Sequence, residues 1–160
     1  MPATWTTPKN WNVGELLIAS DLNTHVRDNL EWLKARPFAY QAIATTTTTS
    51  TSYVAVTGGS VSLATVGGNV LIACLVNAAN SGAGNGNFFD LAIDSTRQGD
   101  ASNGLGFIST PVSGYYDLAL LLWMTCPPPS AGSHSYALYW KTTAGTITLN
   151  YARLFVMEVR

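Results

Sequence analysis

The chain has 160 residues, enough for one domain and an appendage, and 47% of them are hydrophobic while only 11% are charged. Ordinary soluble domains carry roughly 25% charged residues, so much of this surface is expected to be covered by neighbours. The net charge of −1 and eight scattered basic residues give no footprint for nucleic acid, whose phosphates need clustered Lys and Arg. The longest apolar stretch, YYDLALLLWMTC, falls short of the ~20 apolar residues of a membrane span. The opening MPATWTTPKNWN lacks the basic start and apolar run of a secretory signal.

Residues 1–19 read as an arm without sustained periodicity, carrying Trp5, Pro8, Trp11 and Gly14. Residues 20–36 read as a helix. Ser20 is the expected N-cap, with Asp21 at the positive end of the dipole. Lys34 and Arg36 suit the negative end, and Pro37 stops propagation. Between them Leu22, Val26, Leu30 and Leu33 recur at spacings of four, four and three, a one-sided apolar stripe. A helix this short is marginal alone, so the stripe must meet either copies of itself or its own sandwich. In the first case Leu22, Val26, Asn29 and Leu33 offer at most two heptads, with Asn29 a polar register-setting residue.

From residue 38 onward the pattern is β. Alternating runs are punctuated by Gly58-Gly59 and Gly67-Gly68, and Ala144-Gly145 separates the last two as a hairpin. About eight short strands in some 120 residues fit an antiparallel jelly-roll-like β-sandwich. The predicted division is therefore an anchoring arm and helix over 1–37 and a β-sandwich over 38–160. The tract ATTTTTSTS at 44–52 reads as strand plus turn. Loops are expected at 77–87, 95–104 and 126–133, at the ends of the sandwich where partners dock.

Little in the sequence points to chemistry. His25 lies beside the helix stripe, and His134 could be paired on paper with Asp117, but no G-x-S-x-G elbow accompanies them. Asp90, Asp94 and Asp100 form a local acidic cluster that could supply a glycosidase pair or oxygen ligands for calcium, though a carboxylate at a turn more simply caps its own backbone. GAGNGN lacks the Lys-Ser/Thr ending of a phosphate loop. Nothing in these spacings asks for a cofactor or a metal. Cys74 and Cys126 sit in apolar runs and are expected to be buried free thiols, a disulfide between them being undecidable from two positions. Trp123, Trp140, Tyr136 and Tyr151 read as core or subunit interface. Tyr115 and Tyr116 follow a glycine and are the candidates for an exposed, sugar-stacking contact.

The segment TWTTPKNWNVGELLIASDLNTHVRDNLEWLKA resembles the opening of many tailed-bacteriophage and prophage virion proteins. Those pair a W-x-x-G-E-x-x-T/A-A-S/A-D-L-N-x-x-x-R-D-N-L segment with a β-rich distal domain. Trp11, Gly14, Glu15, Ala19, Asp21, Leu22, Asn23, Arg27, Asp28, Asn29 and Leu30 carry the match. More loosely, TSYVAVTGGSVSLATVGGNVLIAC, LAIDSTRQG and SAGSHSYALYWKTTAGTITL are similar to the jelly-roll heads of phage fibres and of the C1q/tumour-necrosis-factor type. Ser95 stands where those heads commonly have Gly. The resemblance implies a virion structural protein, a homotrimer without enzymatic activity. Its partners would be other virion proteins, capsid or tail, and a host surface glycan.

The expectation is thus a capsid decoration or short tail-fibre protein, located in the virion. Trp5, Trp11, Leu22, Val26, Asn29, Leu30 and Leu33 would serve anchoring and oligomerisation. The rival is a carbohydrate-binding β-sandwich module using Tyr115 and Tyr116 or the loops at 77–87 and 95–104.

Overall fold

The computed structural model describes residues 6–34 and 36–159, and the chain divides into two compact units, Met1–Pro37 and Phe38–Arg160. Trp5 lies outside the described residues.

In the first unit the helix runs without interruption as α1 (Ala19–Leu22), a π-helical turn (Asn23–Arg27) and α2 (Asp28–Lys34). It starts one residue earlier than the sequence suggested. Ile18 holds the N-cap position and no side chain caps it, so Ser20 is inside the first turn rather than its cap. Asp21 does sit in that turn, but it is fixed by Lys9, whose ammonium bridges Asp21 at 2.6 Å and also Glu15 while lying 4.7 Å over the Trp11 ring. The arm is therefore not a loose segment. Asn29 receives the Thr6 amide at 2.9 Å and donates to Thr6 O at 2.8 Å, and His25 donates through Nδ1 to Thr7 O. Asn29 is buried, as is Trp32. Asn29, the polar residue of the two-heptad reading, is thus engaged by the arm in the single chain. Leu22, Val26, Leu30 and Leu33 are all exposed.

The π turn has a physical reading. Residues four apart overshoot one α-turn by about 40°, so an apolar row at 22, 26 and 30 would drift around an ideal helix. An i→i+5 turn absorbs an extra residue and reduces that drift.

The second unit is a sandwich of two five-stranded antiparallel sheets. Its strands are β1 (Phe38–Ile43), β2 (Thr46–Thr48), β3 (Val54–Thr65), β4 (Asn69–Asn80), β5 (Gly86–Ile93), β6 (Thr96–Arg97), β7 (Gly106–Ser109), β8 (Asp117–Met124), β9 (Gly132–Thr142) and β10 (Ile147–Val159). Sheet A has the order β1-β10-β4-β8 with β2 also on β10; sheet B has β3-β9-β5-β6 with β7 also on β5. The strands number ten rather than eight because β2 and β6 are three and two residues long, too short to show a period. Gly58-Gly59 is not a turn. β3 runs through it, and the register against β9 slips between Ala55 and Ser60, a bulge of the kind that positive-φ glycine permits. Gly58 has φ +69° and a Cβ on Gly59 would lie 2.9 Å from Val56.

Between the sheets lies one core, including Ile72, Cys74, Phe89, Leu91, Leu121, Tyr136, Leu138, Trp140, Leu154 and Val156. Burial pushes the Cys74 thiol up to about 12, so it behaves as a small hydrophobe. Cys126 differs from the expectation: it is exposed, and both cysteines are free.

Three buried polar side chains close the loops onto this core. The Glu158 carboxylate accepts the Val66 amide at 3.0–3.1 Å and the Gly68 amide. A Cβ on Gly68 would sit 2.7 Å from Glu158 Oε1, which explains one glycine of the pair at 67–68. Asp90 accepts the Leu91 and Gly99 amides and Arg97 Nε at 2.7–2.9 Å, holding the loop after β5. At the other end Asn80 donates to Asn87 Oδ1 and Thr142 Oγ1, and Asn87 donates to Thr110 Oγ1, at 2.8–3.0 Å. Asn80 and Asn87 are buried strand residues, so the loop predicted at 77–87 shrinks to the few residues between β4 and β5.

Replacing Asn80 by Ala leaves Asn87 and Thr142 buried without this partner and is expected to cost about 2–3 kcal/mol, read as a lowered denaturant midpoint. Ser95, at φ +67° in the β5–β6 turn, carries a Cβ in the left-handed region. Ser95→Gly is expected to stabilise the fold by about 1 kcal/mol, read as a raised melting temperature.

Candidate functional site

Sheet A is apolar on both faces. Along β4 the buried residues Val70, Ile72, Cys74 and Val76 alternate with half-buried Leu71, Ala73, Leu75 and Asn77, and the strand period of two puts the second set on the outer face. Antiparallel register then aligns outer residues in rows. One row is Phe38, Met157, Leu71 and Met124; the next is Tyr40, Phe155, Ala73 and Leu122; the third is Ala42, Arg153, Leu75 and Leu120. Tyr151, Asn77 and Leu118 extend them.

Of these residues only Arg153 is charged, and its guanidinium lies 5.7 Å from the Tyr151 ring. Phe38 stacks on Phe155 at 6.2 Å. The face is four strands wide and six residue steps long, about 20 by 20 Å from strand spacing and rise. Even as a flat projection that is roughly 400 Å², in the range of the largest apolar patch on a typical soluble monomer. Exposure is greatest at the two borders, Phe38 at 66% on β1 and Leu120 at 68% on β8.

The first unit presents a second apolar surface. Leu16, Leu17, Ile18, Leu22, Val26, Leu30 and Leu33 are exposed, while Trp11 sits under Lys9. Of the anchoring residues proposed from sequence, Leu22, Val26, Leu30 and Leu33 thus fall on one exposed ridge, and Asn29 does not join them. Tyr115 and Tyr116 are exposed just before β8. Trp140 and Tyr136 are core, Tyr151 belongs to the outer face of sheet A, and Trp123 packs half-buried against the core.

At one end of the sandwich a cavity of about 300 Å³ is lined by Asp94, Thr96, Gln98, Trp123, Thr125 and Cys126 among others. His134 stands beside it. Its Nδ1 lies 2.6 Å from Asp94 Oδ2 and its Nε2 lies 2.8 Å from Ser130 O. A carbonyl and an ionised carboxylate only accept, so both contacts are satisfied together only by the doubly protonated ring. The Asp94 carboxylate beside it, and then the Ser130 carbonyl, raise the histidine above its ordinary value. His134, with the Ser135 amide second, holds the Asp94 carboxyl below the usual carboxylate range.

With both nitrogens engaged, His134 has no free base to offer a nucleophile. Asp117 accepts the amide of Leu118 instead, so the paper triad does not assemble. Nor do Asp90 and Asp94 make a glycosidase pair: Asp90 is fully buried under Arg97, out of reach of a substrate. Among the described residues no group of three potential metal ligands comes together. Among the described residues no helix is long and apolar enough to cross a membrane.

No protein-family model matches the chain, and no curated protein matches it by sequence. Solved structures do. A chain of the T13 IBDV viral particle superposes with a TM-score of 0.51 at 9% identity, over 77% of this chain and 31% of that one. The Eiger TNF of S. frugiperda gives 0.47 at 12% identity, over 78% and 94%. A carbohydrate-binding module of Cellvibrio mixtus lichenase 5A, in complex with cellotriose, gives 0.35 at 18% identity, over 76% and 98%. The chain spans about a third of the viral-particle chain. At 9% identity the likeness to the viral-particle chain shows the fold alone.

The His134–Asp94 clamp predicts a signed pH dependence. A raised histidine contributes stability that is fully present below its unfolded value and is lost as pH rises through its folded one. The lowered Asp94 contributes above the ordinary carboxylate range and is lost as pH falls through its folded value. The wild type should therefore lose more stability than His134→Gln between about pH 5.5 and pH 8.5, which bracket the ordinary histidine value. Denaturant midpoints at the two pH values check this, and equal losses would remove the clamp.

Proposed function

We propose that the chain is a non-enzymatic structural protein of a bacteriophage virion. In this reading it is a homotrimeric surface component, a capsid decoration or short tail-fibre protein, attached through residues 1–37. The outer face of sheet A carries the oligomeric part. Fourteen of the fifteen residues named on it are uncharged, and the largest apolar patch of a chain, at this extent, is often functional. Its two most exposed borders lie on different strands, β1 and β8. Placing the β1 border of one copy against the β8 border of the next is a heterologous contact, which closes into a ring when the rotation allows. The resemblance to phage heads of the C1q/tumour-necrosis-factor type favours three copies. The exposed ridge from Leu16 to Leu33 then serves as the attachment surface for a capsid or tail protein, with Trp11 held in place beside it by Lys9. Nothing assembled around His134, Asp94 or Asp90 supplies a reacting group, which favours a structural role over a catalytic one.

Sedimentation of the full chain at micromolar concentration should give three times the monomer mass. Leu120→Asp combined with Leu122→Asp should shift the species to a monomer with unchanged far-UV circular dichroism, since neither residue touches the core. A wild-type monomer would sink the trimer. Leu22→Lys with Leu30→Lys should leave the trimer intact while abolishing incorporation into particles, as seen by electron cryo-microscopy of virions assembled with the variant. Particles that incorporate it normally would remove the ridge as the anchor.

A further inference from the structure

The outer face of sheet B carries a different surface. β5 lies between β7 and β9, so Phe88 stands directly between Phe107 on one side and Lys141 on the other. Val54 pairs with Trp140, which brings the preceding Tyr53 to the far side of Lys141. The Phe88 and Phe107 ring centroids are 4.9 Å apart with planes tilted 45°. Lys141 Nζ lies 5.1 Å from the Phe88 ring and 4.7 Å from the Tyr53 ring, and the Arg97 guanidinium is 3.5 Å over Tyr53. A Cβ on Gly86 would come within 2.7 Å of Phe107 and 3.0 Å of Phe88, so glycine there lets both rings lie against the backbone. Phe88, Phe107 and Asn103 line a shallow hollow of about 400 Å³, and Phe107 is 53% exposed.

The two cations in this row are not equivalent. Arg97 is committed to Asp90 at 2.7 Å and to the carbonyls of Asp100 and Ala101. Lys141 has no carboxylate within ion-pair distance among the described residues. Its ammonium is held at the edge of an exposed aromatic platform with no fixed counter-charge. A purely apolar partner would desolvate that ammonium without compensation. A nucleic acid would need a track of cations, and here only Lys141 is uncommitted. A partner with a flat C–H face for the rings, hydroxyls for Asn103 and a negative group at its edge satisfies every element.

We propose that Phe88, Phe107, Asn103 and Lys141 form a binding site for an acidic sugar, a pyranose bearing a carboxylate, as part of a surface glycan. The pyranose face stacks on Phe107 and Phe88, and the carboxylate meets Lys141. The site does not depend on the assembly reading above. It lies on the sheet opposite the apolar face and remains open whether or not that face is covered.

Saturation-transfer difference NMR on the full chain tests it, with glucuronic acid as the probe and glucose as the neutral control. A single sugar on one platform is expected to bind at about millimolar strength, with glucuronate favoured at least fivefold over glucose. Phe107→Leu, which keeps apolar volume but removes the ring, should reduce both signals about tenfold. Lys141→Gln should bring glucuronate down to the level of glucose and leave glucose unchanged. No saturation of either sugar in the wild type would overturn the site. So would equal response to both, or a glucuronate preference that survives Lys141→Gln. Sedimentation of the variants separates loss of the site from loss of the assembly.

Discussion

The constraint on which the second unit depends is that β4 and β10, the inner strands of sheet A, are apolar on both faces. A strand alternates its side chains with period two, so a sheet in ordinary solvent carries one apolar and one polar face. Here Val70 to Val76 and Leu154 to Val156 fill the core, yet Leu71, Leu75, Phe155 and Met157 lie between them and point the other way. Burying the first set requires sheet B. The second set is left half-buried or exposed by the sandwich itself, and the low charge of the whole chain is in keeping with it.

Such a sandwich needs its loops held by polar groups, because the sheets alone do not specify how the ends close. Glu158, Asp90 and Asn80 do this from fully or almost fully buried positions. Each spends its acceptors or donors on backbone groups or on neighbouring side chains, which is how a buried polar group avoids its desolvation cost. They also remove the candidate chemistry. Asp90 is a loop anchor rather than an acid, and His134 binds Asp94 and Ser130 with the two nitrogens a base would need.

The β-sandwich was legible from alternation and turn residues alone, because Val, Ile and Leu at every second position leave little choice of face. The helix and its stripe were legible for the same reason at a different period. The misreadings have a common cause, in that each depended on a partner distant in sequence. Ser20 is a good cap locally, yet Lys9 pulls on Asp21 and the helix begins a residue earlier. Asn29 looks like a coiled-coil residue until Thr6 returns to bond it. Gly58-Gly59 reads as a turn, and becomes a bulge only once β9 is alongside. Cys126 looked buried in an apolar run that in fact ends at Met124. The row of Phe107, Phe88, Lys141 and Tyr53 was invisible because its four members lie in four separate segments that only the register of sheet B brings together.

That last point bears on how the two sheets divide their roles. Sheet A carries mostly apolar side chains over its outer face, with Arg153 the one charge among the fifteen residues named there, which suits contact with a surface largely apolar and of fixed shape. Sheet B instead places aromatics beside cations, and its long β5–β6–β7 connection folds back over Asp90 and leaves Phe107 uncovered. An aromatic next to an ammonium is poor material for a dry subunit contact, since the charge must keep water or gain a counter-ion. It is good material for a small polar ligand that brings its own acid. In the proposed reading the sandwich assembles through one face and recognises through the other, with no residue required to do both.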